Sequence, residues 1–297
     1  MNRETLAAID IGSNAIRLLI SYIEKNGSVT FKRAAFIRVP IRLGEDVFTQ
    51  GYIGEDKKNK LMEAMASFRH LMNTFNVKAY RACATSAMRE AKNREEVVAY
   101  IRQKSNIDIE IISGTEEAET IFEAGGIAGL MGRSESYLYV DVGGGSTEVT
   151  IYSNRKRVDS RSFPLGTVRS ISNAVDSDEY QNFKRWLKEV ALIHKPVAII
   201  GSGGNINKVH KILYKKDKES IRYVELKLLY DHIVDMTDEQ RMKNMGLNPY
   251  RADVIVPAMK IFITVAKVCK IDEVMVPKVG LADGVVNHLY NQLYPKK

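Results

Sequence analysis

The chain is poor in the residues that hold disulfides, zinc or membranes. Only Cys83 and Cys269 are cysteines among its 297 residues. They lie far apart in apolar surroundings and form neither a CxxC pair nor a zinc spacing. No cysteine-based redox motif or cysteine–zinc site is expected, and both thiols are expected reduced and buried. No apolar run reaches the ~18 residues of a membrane span. Asp10 interrupts the N-terminal apolar stretch too early for a signal-peptide core. Cytoplasm is the expected compartment, with no membrane partner. The five histidines, at positions 70, 194, 210, 232 and 288, show no ligand spacing. A Walker A lysine motif, a Gly-x-Ser-x-Gly elbow and a His-Glu-x-x-His helix are all missing. Lys and Arg outnumber Asp and Glu by 44 to 36, a net charge of +8, yet the positive residues form no block of five or six. The excess favours polyanions in general, and its dispersion marks no specific nucleic-acid site.

What the chain does have is a loop used twice. Residues 7–20 read Ala-Ala-Ile-Asp-Ile-Gly-Ser-Asn-Ala-Ile-Arg-Leu-Leu-Ile, and residues 138–151 read Leu-Tyr-Val-Asp-Val-Gly-Gly-Gly-Ser-Thr-Glu-Val-Thr-Ile. With Asp10 set over Asp141, each is an apolar strand ending in Asp-x-Gly, then small polar residues, then a departing strand. One supersecondary unit used twice is expected to leave a cleft between the copies.

The elements follow an α/β order. Strands are expected at 6–10, 16–24 and 29–37, the last two joined by an Asn26-Gly27 turn. A helix over 55–75 has Leu61, Met62, Met65, Phe68, Leu71, Met72 and Phe75 at helical spacing as its buried stripe. Asn93 with Glu96, and Ser113 with Glu116, read as capping boxes for helices over 93–105 and 115–130. Gly125, Gly126, Gly129 and Gly132 then mark a boundary, giving domains 1–128 and 129–281. The second half restarts with strands at 137–142, 148–153 and 158–163. Helices are expected near 178–193, 204–214, 225–243 and 252–269, with a last helix from 282 packing back on the first domain. Strands alternating with helices indicate helices packed on sheets.

The loops suit a phosphate chain carrying a divalent metal. Glycine lets successive backbone N–H groups approach an anion. Ser13, Asn14 and Ser146 add side-chain donors. A carboxylate heading such a loop makes sense beside a metal, so Asp10, Asp141 and Glu148 are the expected ligands, direct or water-bridged, of Mg²⁺, with Mn²⁺ as the alternative. Arg17 and Arg89 follow strand ends, and a guanidinium can fork onto two phosphate oxygens. Glu116 and Glu117 fall in the first turn of a helix, where the dipole favours carboxylates. The residues alone do not choose a base between them. A third Gly turn, Gly201-Ser202-Gly203-Gly204, feeds another helix N-terminus.

Together these segments are similar to the exopolyphosphatase/guanosine-pentaphosphate phosphatase family. Those carrying the resemblance are Asp-Ile-Gly-Ser-Asn-Ala-Ile-Arg, Arg-Leu-Gly-Glu, Ala-Thr-Ser-Ala-Met-Arg-Glu, Ile-Ser-Gly-Thr-Glu-Glu-Ala, Asp-Val-Gly-Gly-Gly-Ser-Thr-Glu, Pro-Leu-Gly-Thr-Val-Arg, Gly-Ser-Gly-Gly, Arg-Ala-Asp-Val-Ile and Gly-Leu-Ala-Asp-Gly, in the family's order. The resemblance implies two ribonuclease-H-like domains of the actin-like ATPase superfamily around a cleft. It implies Mg²⁺-dependent release of terminal phosphate from inorganic polyphosphate or, alternatively, guanosine pentaphosphate. By position, Glu117 matches the catalytic glutamate and Arg89 an active-site arginine. Asp141 and Glu148 match metal acids; Gly143, Gly144, Gly145 and Ser146 match the phosphate loop, and Ser13, Asn14 and Arg17 the first loop. The family also implies a homodimer, and the chain resembles its short form, without a C-terminal helical domain. Ala15, Glu119 and Asn205 depart from common family residues. Two rival functions remain, a kinase of the same superfamily and a non-catalytic sensor of nucleotide or polyphosphate.

Overall fold

The computed structural model describes residues 4–26, 28–124, 127–217 and 219–295. The glycine of the expected Asn26-Gly27 turn and the Gly125-Gly126 pair lie outside them. The chain divides into two compact units, Met1–Gly125 with Gly280–Lys297, and Gly126–Val279.

The first unit is built on β1 (Thr5–Ile11), β2 (Ile16–Asn26) and β3 (Ser28–Val39), then α1 (Leu43–Gln50), α2 (Glu55–Thr74), β4 (Ala79–Ala84), α3 (Ser86–Glu90), α4 (Arg94–Ser105), β5 (Ile109–Ile111) and α5 (Gly114–Glu123). Its sheet has the order β3-β2-β1-β4-β5. The first three strands are antiparallel, and β4 and β5 run parallel to β1 and β4 respectively. This is the ribonuclease-H-like arrangement. Strand β1 is buried along its whole length, which explains its unbroken apolar run before Asp10.

The second unit starts the order again with β6 (Ser136–Val142), β7 (Thr147–Ser153) and β8 (Lys156–Phe163). There follow α6 (Thr167–Ile171), α7 (Ser177–His194), β9 (Ala198–Ser202), α8 (Gly204–Ile212), β10 (Ile221–Arg222), α9 (Tyr223–Ile233), α10 (Asp238–Met245), α11 (Pro249–Ala252), α12 (Ile255–Cys269) and β11 (Glu273–Met275). Its sheet order is β10-β11-β9-β6-β7-β8. The final helix, α13 (Leu281–Leu293), belongs to the first unit and packs on β1 and α5.

The repeat extends to irregularities. The β2–β3 ladder shifts register between Ile20 and Ser21, and the β7–β8 ladder between Ile151 and Tyr152. Both bulges fall at the same distance from their loop aspartate. Each unit has its own core. In the first, Leu61, Met65, Phe68 and Met72 of α2 pack on Ile9, Leu18 and Ile20, with Met62, Leu71 and Phe75 at the margin. In the second, Phe163 meets Phe183 edge-on, with ring centroids 4.9 Å apart, and Trp186 closes the cluster.

Three local expectations need correction. Asn93 does not cap α4 with its side chain; it accepts from Ile53 N and donates to Ile53 O, both at 2.9 Å. A tertiary partner with both donor and acceptor has replaced a local one. The helix expected over 115–130 ends at Glu123. The span 225–243 is two helices, because Thr237 and Gln240 form a capping box that starts α10 anew. The short helices α1, α3, α6 and α11 have too few turns to show an apolar period.

Candidate active site

The first loop joins β1 to β2 and is closed by a Gly12 N–H to Ala15 O bond of 3.2 Å. Asp10 and Arg17 are register partners across that strand pair, and Arg17 Nη1 donates to Asp10 Oδ2. Behind the loop, Gly44 N–H donates to Ser13 O at 2.9 Å and Arg42 N–H to Asn14 O at 3.1 Å. The two peptide units are trans, so each N–H points opposite to the carbonyl it shares a plane with. Turning the Ser13 and Asn14 carbonyls backward therefore turns the Asn14 and Ala15 N–H groups forward. Ser13 is buried; its Oγ accepts from Ala87 N at 3.2 Å and so fixes the start of α3.

The second loop repeats the device more fully. Gly143 N–H to Ser146 O, 3.0 Å, closes it. The carbonyl of Gly143 accepts from Thr167 N–H, that of Gly144 from Val168 and Arg169 N–H, and that of Gly145 from Arg169 Nε. Three successive N–H groups, of Gly144, Gly145 and Ser146, face the other way. A run of N–H groups turned to one side is an anion nest. The brace touches the loop without any gap. A Cβ at Gly166 would lie 2.3 Å from Gly144 O and 2.4 Å from two backbone carbons.

Asp141 and Glu148 stand opposite each other across β6 and β7, where the first unit has Asp10 and Arg17. The substitution of carboxylate for guanidinium changes the chemistry. In the first loop the aspartate is neutralised by its neighbour. In the second, two carboxylates occupy facing positions, where like charges repel. Glu148 is only 2% exposed, and its Oε1 accepts from Ser146 Oγ at 2.6 Å and Ser162 Oγ at 3.0 Å. This hard-oxygen pair fits Mg²⁺, which commonly takes one or two carboxylates and completes its shell with water and phosphate oxygens. Among the described residues no third His, Cys, Asp or Glu joins such a group. Of the three expected metal ligands, Asp141 and Glu148 thus sit together, whereas Asp10 sits in the other unit and holds Arg17. Ser146 gives its hydroxyl to Glu148 rather than presenting it outward.

The expected Gly203-Gly204 turn opens α8. Gly203 has φ +105°, a conformation reserved for glycine, and a Cβ there would lie 3.1 Å from Asp141 Oδ1. The aspartate therefore rests against this turn. Arg251 Nη1 donates to Gly204 O and steadies it.

Arg89 and Glu117 meet in the first unit. Arg89 is on the last turn of α3, and its Nη1 donates to Ile112 O at 2.7 Å. The same nitrogen is 3.6 Å from Glu117 Oε2. Glu116, the neighbouring carboxylate, is committed elsewhere: Arg81 Nη2 binds it at 2.7 Å while also binding Glu110. Ser113 Oγ caps α5 by accepting from Glu116 N–H at 3.1 Å. The structure thus separates the two glutamates that the residues alone left equivalent. Glu116 ties α5 to the sheet, and Glu117 faces the arginine that the first loop helps to place.

Gly166, Arg169, Arg42 and Ser162 are the site-building residues that sequence reasoning missed as such. The available signal was a Leu-Gly dipeptide following the third strand of each half, Leu43-Gly44 and Leu165-Gly166. No helix among the described residues is long and apolar enough to cross a membrane.

The model of the Ppx/GppA phosphatase family matches residues 22–293. The match begins after the first loop, for which the structural repeat supplies the evidence. A bifunctional 3-dehydroquinate synthase/phosphatase of Fusobacterium nucleatum is 28% identical over 278 residues, covering 84% of this chain. The chain spans 41% of that relative's length. A candidate exopolyphosphatase of Haemophilus influenzae is 25% identical over 97% of this chain and 92% of its own. The crystal structure of the Aquifex aeolicus member of the Ppx/GppA protein family superposes with a TM-score of 0.77. It is 26% identical, over 99% of this chain and 100% of that one.

Proposed function

Because the chain belongs to the Ppx/GppA phosphatase family, we propose that it is a phosphoanhydride hydrolase releasing terminal phosphate from inorganic polyphosphate. The observation that carries this reading is the division of labour in the first turn of α5. One glutamate is spent on structure, and Glu117 is held 3.6 Å from a guanidinium nitrogen. A carboxylate so placed can accept the proton of an attacking water, and the guanidinium can stabilise charge on phosphate oxygens. Water oxygen bonds to the terminal phosphorus, the bridging P–O bond breaks, and the shortened chain leaves with the bond's electron pair. The Gly144, Gly145 and Ser146 N–H groups hold phosphate oxygens, as the backward-turned carbonyls allow. Mg²⁺ or Mn²⁺, held by Asp141 and Glu148, would neutralise charge on those oxygens when bound. The +8 net charge favours a polyanion as substrate.

The test is phosphate release by purified protein from long polyphosphate, short polyphosphate and guanosine pentaphosphate, with and without Mg²⁺, beside Glu117→Gln. Turnover of polyphosphate that needs both Mg²⁺ and Glu117 is the expected result. Release from the nucleotide alone would assign the second substrate. Binding without release from any of the three would overturn the hydrolase reading.

A further inference from the structure

A glycine of helix α13 lies directly against the backbone of the helix that carries Glu117. A Cβ at Gly284 would lie 1.9 Å from Thr120 O, 2.6 Å from its carbonyl carbon and 3.1 Å from Ile121 N. These atoms are the backbone of α5, one turn beyond Glu117, so no side chain can swing aside. Nothing in the composition of α13 requires this closeness. Gly280, four residues earlier in the same Gly-Leu-Ala-Asp-Gly segment, has open space where a Cβ would go.

Helix α13 is held in place by its own contacts with the first unit. Asp283 Oδ1 accepts from Arg33 Nη2 of β3 at 2.9 Å, and its Oδ2 caps the helix at Gly280 N–H at 3.0 Å. Tyr290 packs edge-on against Phe31 with centroids 5.5 Å apart, and Tyr294 OH accepts from Lys78 Nζ at 2.7 Å. Helix α13 is thus tied to the sheet along its length. Helix α5 is a ten-residue element whose first turn carries the Arg81–Glu116 and Arg89–Glu117 pairs and whose Thr120 and Ile121 are buried. A Cβ inserted between the two backbones cannot be accommodated without shifting α5 against α13, and Glu117 is one turn from the point of contact.

We propose that Gly284 is a positioning residue for Glu117: the absence of a side chain there seats α5 at the depth that puts the carboxylate beside Arg89. The inference rests on Glu117 as the base. It makes the placement of that base depend on a segment that returns to the first unit only after the whole of the second has been traversed. Misplacement of a reacting group by about 1 Å costs on the order of 10²-fold in rate. The phosphate-holding N–H groups are on the Asp-x-Gly loops, not on α5, so the loss should fall on kcat and spare KM.

The experiment compares steady-state kinetics and thermal unfolding of Gly284→Ala, Gly280→Ala, Asp283→Ala and Glu117→Gln. Gly284→Ala should fold and lose about 10²-fold in kcat at unchanged KM. Gly280→Ala should behave as the parent. Asp283→Ala, which loosens α13 without a clash, should lower kcat several-fold at unchanged KM. Parental kcat in Gly284→Ala, or a loss confined to KM, beside an inactive Glu117→Gln, overturns the inference. Should Gly284→Ala fail to fold, parental kcat in a folded Asp283→Ala of lowered Tm overturns it equally. Full turnover in Glu117→Gln instead removes the reading of Glu117 itself.

Discussion

Arg89 Nη1 lies 3.6 Å from Glu117 Oε2 while donating to the carbonyl of Ile112, the residue just before the Ser113 cap of α5. One guanidinium therefore fixes both the approach to α5 and the carboxylate on its first turn. Removing it should act on chemistry more than on folding. Arg89→Ala is expected to lower kcat by ~10²–10³-fold, the usual cost of a lost charge-stabilising donor. Arg89→Lys should not restore it, since an ammonium cannot reproduce the planar fork. Phosphate-release kinetics check both; parental kcat in Arg89→Ala would make the pair an ordinary ion pair.

The adjacent glutamates give a sharper contrast. Glu117→Gln should keep the fold and lose ~10²–10⁴-fold in kcat, the range for a general base. Glu116→Gln weakens a half-exposed link to Arg81. Exposed ion pairs contribute about 0–1 kcal/mol, so kcat should hold and Tm fall only slightly. A reversed pattern, with Glu116→Gln inactive and Glu117→Gln active, would exchange their roles.

The brace behind the second loop predicts a different phenotype. A Cβ at Gly166 collides with the Gly144 and Gly145 backbone, which cannot move without turning the N–H nest. Gly166→Ala should lower stability by about 1–3 kcal/mol, as overpacking does, and weaken phosphate binding. Inorganic phosphate binding by calorimetry and thermal unfolding measure the two effects. Gly129→Ala, where a Cβ meets nothing within 4 Å, is the control. Unchanged phosphate affinity in folded Gly166→Ala would show that the nest does not bind phosphate.

Much of this was legible in the residues, for identifiable reasons. The long strands around Asp10 and Asp141 are apolar and end in glycine, so both the strands and the loops announce themselves. The duplication could be read because Asp-x-Gly recurs with matching apolar flanks, and the ladder bulges at Ile20 and Ile151 extend it. What the residues hid is mostly tertiary. Asn93 carries a capping signature, yet its amide serves Ile53. Glu116 and Glu117 are equivalent by helix position, and only the presence of Arg81 on β4 separates them. Gly166 and Gly284 act through the backbone of distant segments, a relationship that no local pattern encodes. Arg17 and Glu148, by contrast, are already aligned when Asp10 is set over Asp141, and the strand register agrees that they fill equivalent places with opposite charge.

Glu148 offers a test of the metal reading from outside the coordinating atoms. Its Oε1 takes hydrogen bonds from Ser146 and Ser162, and the carboxylate is buried. Residues that orient a metal ligand typically carry 10–100-fold of metal affinity. Ser162→Ala should therefore raise the Mg²⁺ concentration for half-maximal turnover by about that factor, with saturating kcat retained. A chelator should abolish turnover in both proteins, and added Mg²⁺ should restore it. A Ser162→Ala variant with parental Mg²⁺ dependence would detach Glu148 from the metal.

Cys83 gives a prediction in pH. It pairs in register with Asp10 on the neighbouring strand and is fully buried. Burial, partly offset by Arg81, pushes its thiol from 9.0 up to about 12, and burial does the same for Cys269. The folded chain therefore keeps two protons that the unfolded chain releases above pH 9. Their contribution to stability is complete below pH 9 and is lost as pH rises from 9 through about 12. Two measurements follow. Alkylation by iodoacetamide at pH 8 should be slow in the native protein and fast once it is unfolded. Denaturant midpoints should fall between pH 9 and 11, and fall less in Cys83→Ala/Cys269→Ala. Rapid native alkylation, or identical slopes in parent and double variant, would mean that these thiols reach solvent and that the packing around β4 or α12 opens more readily than their burial implies.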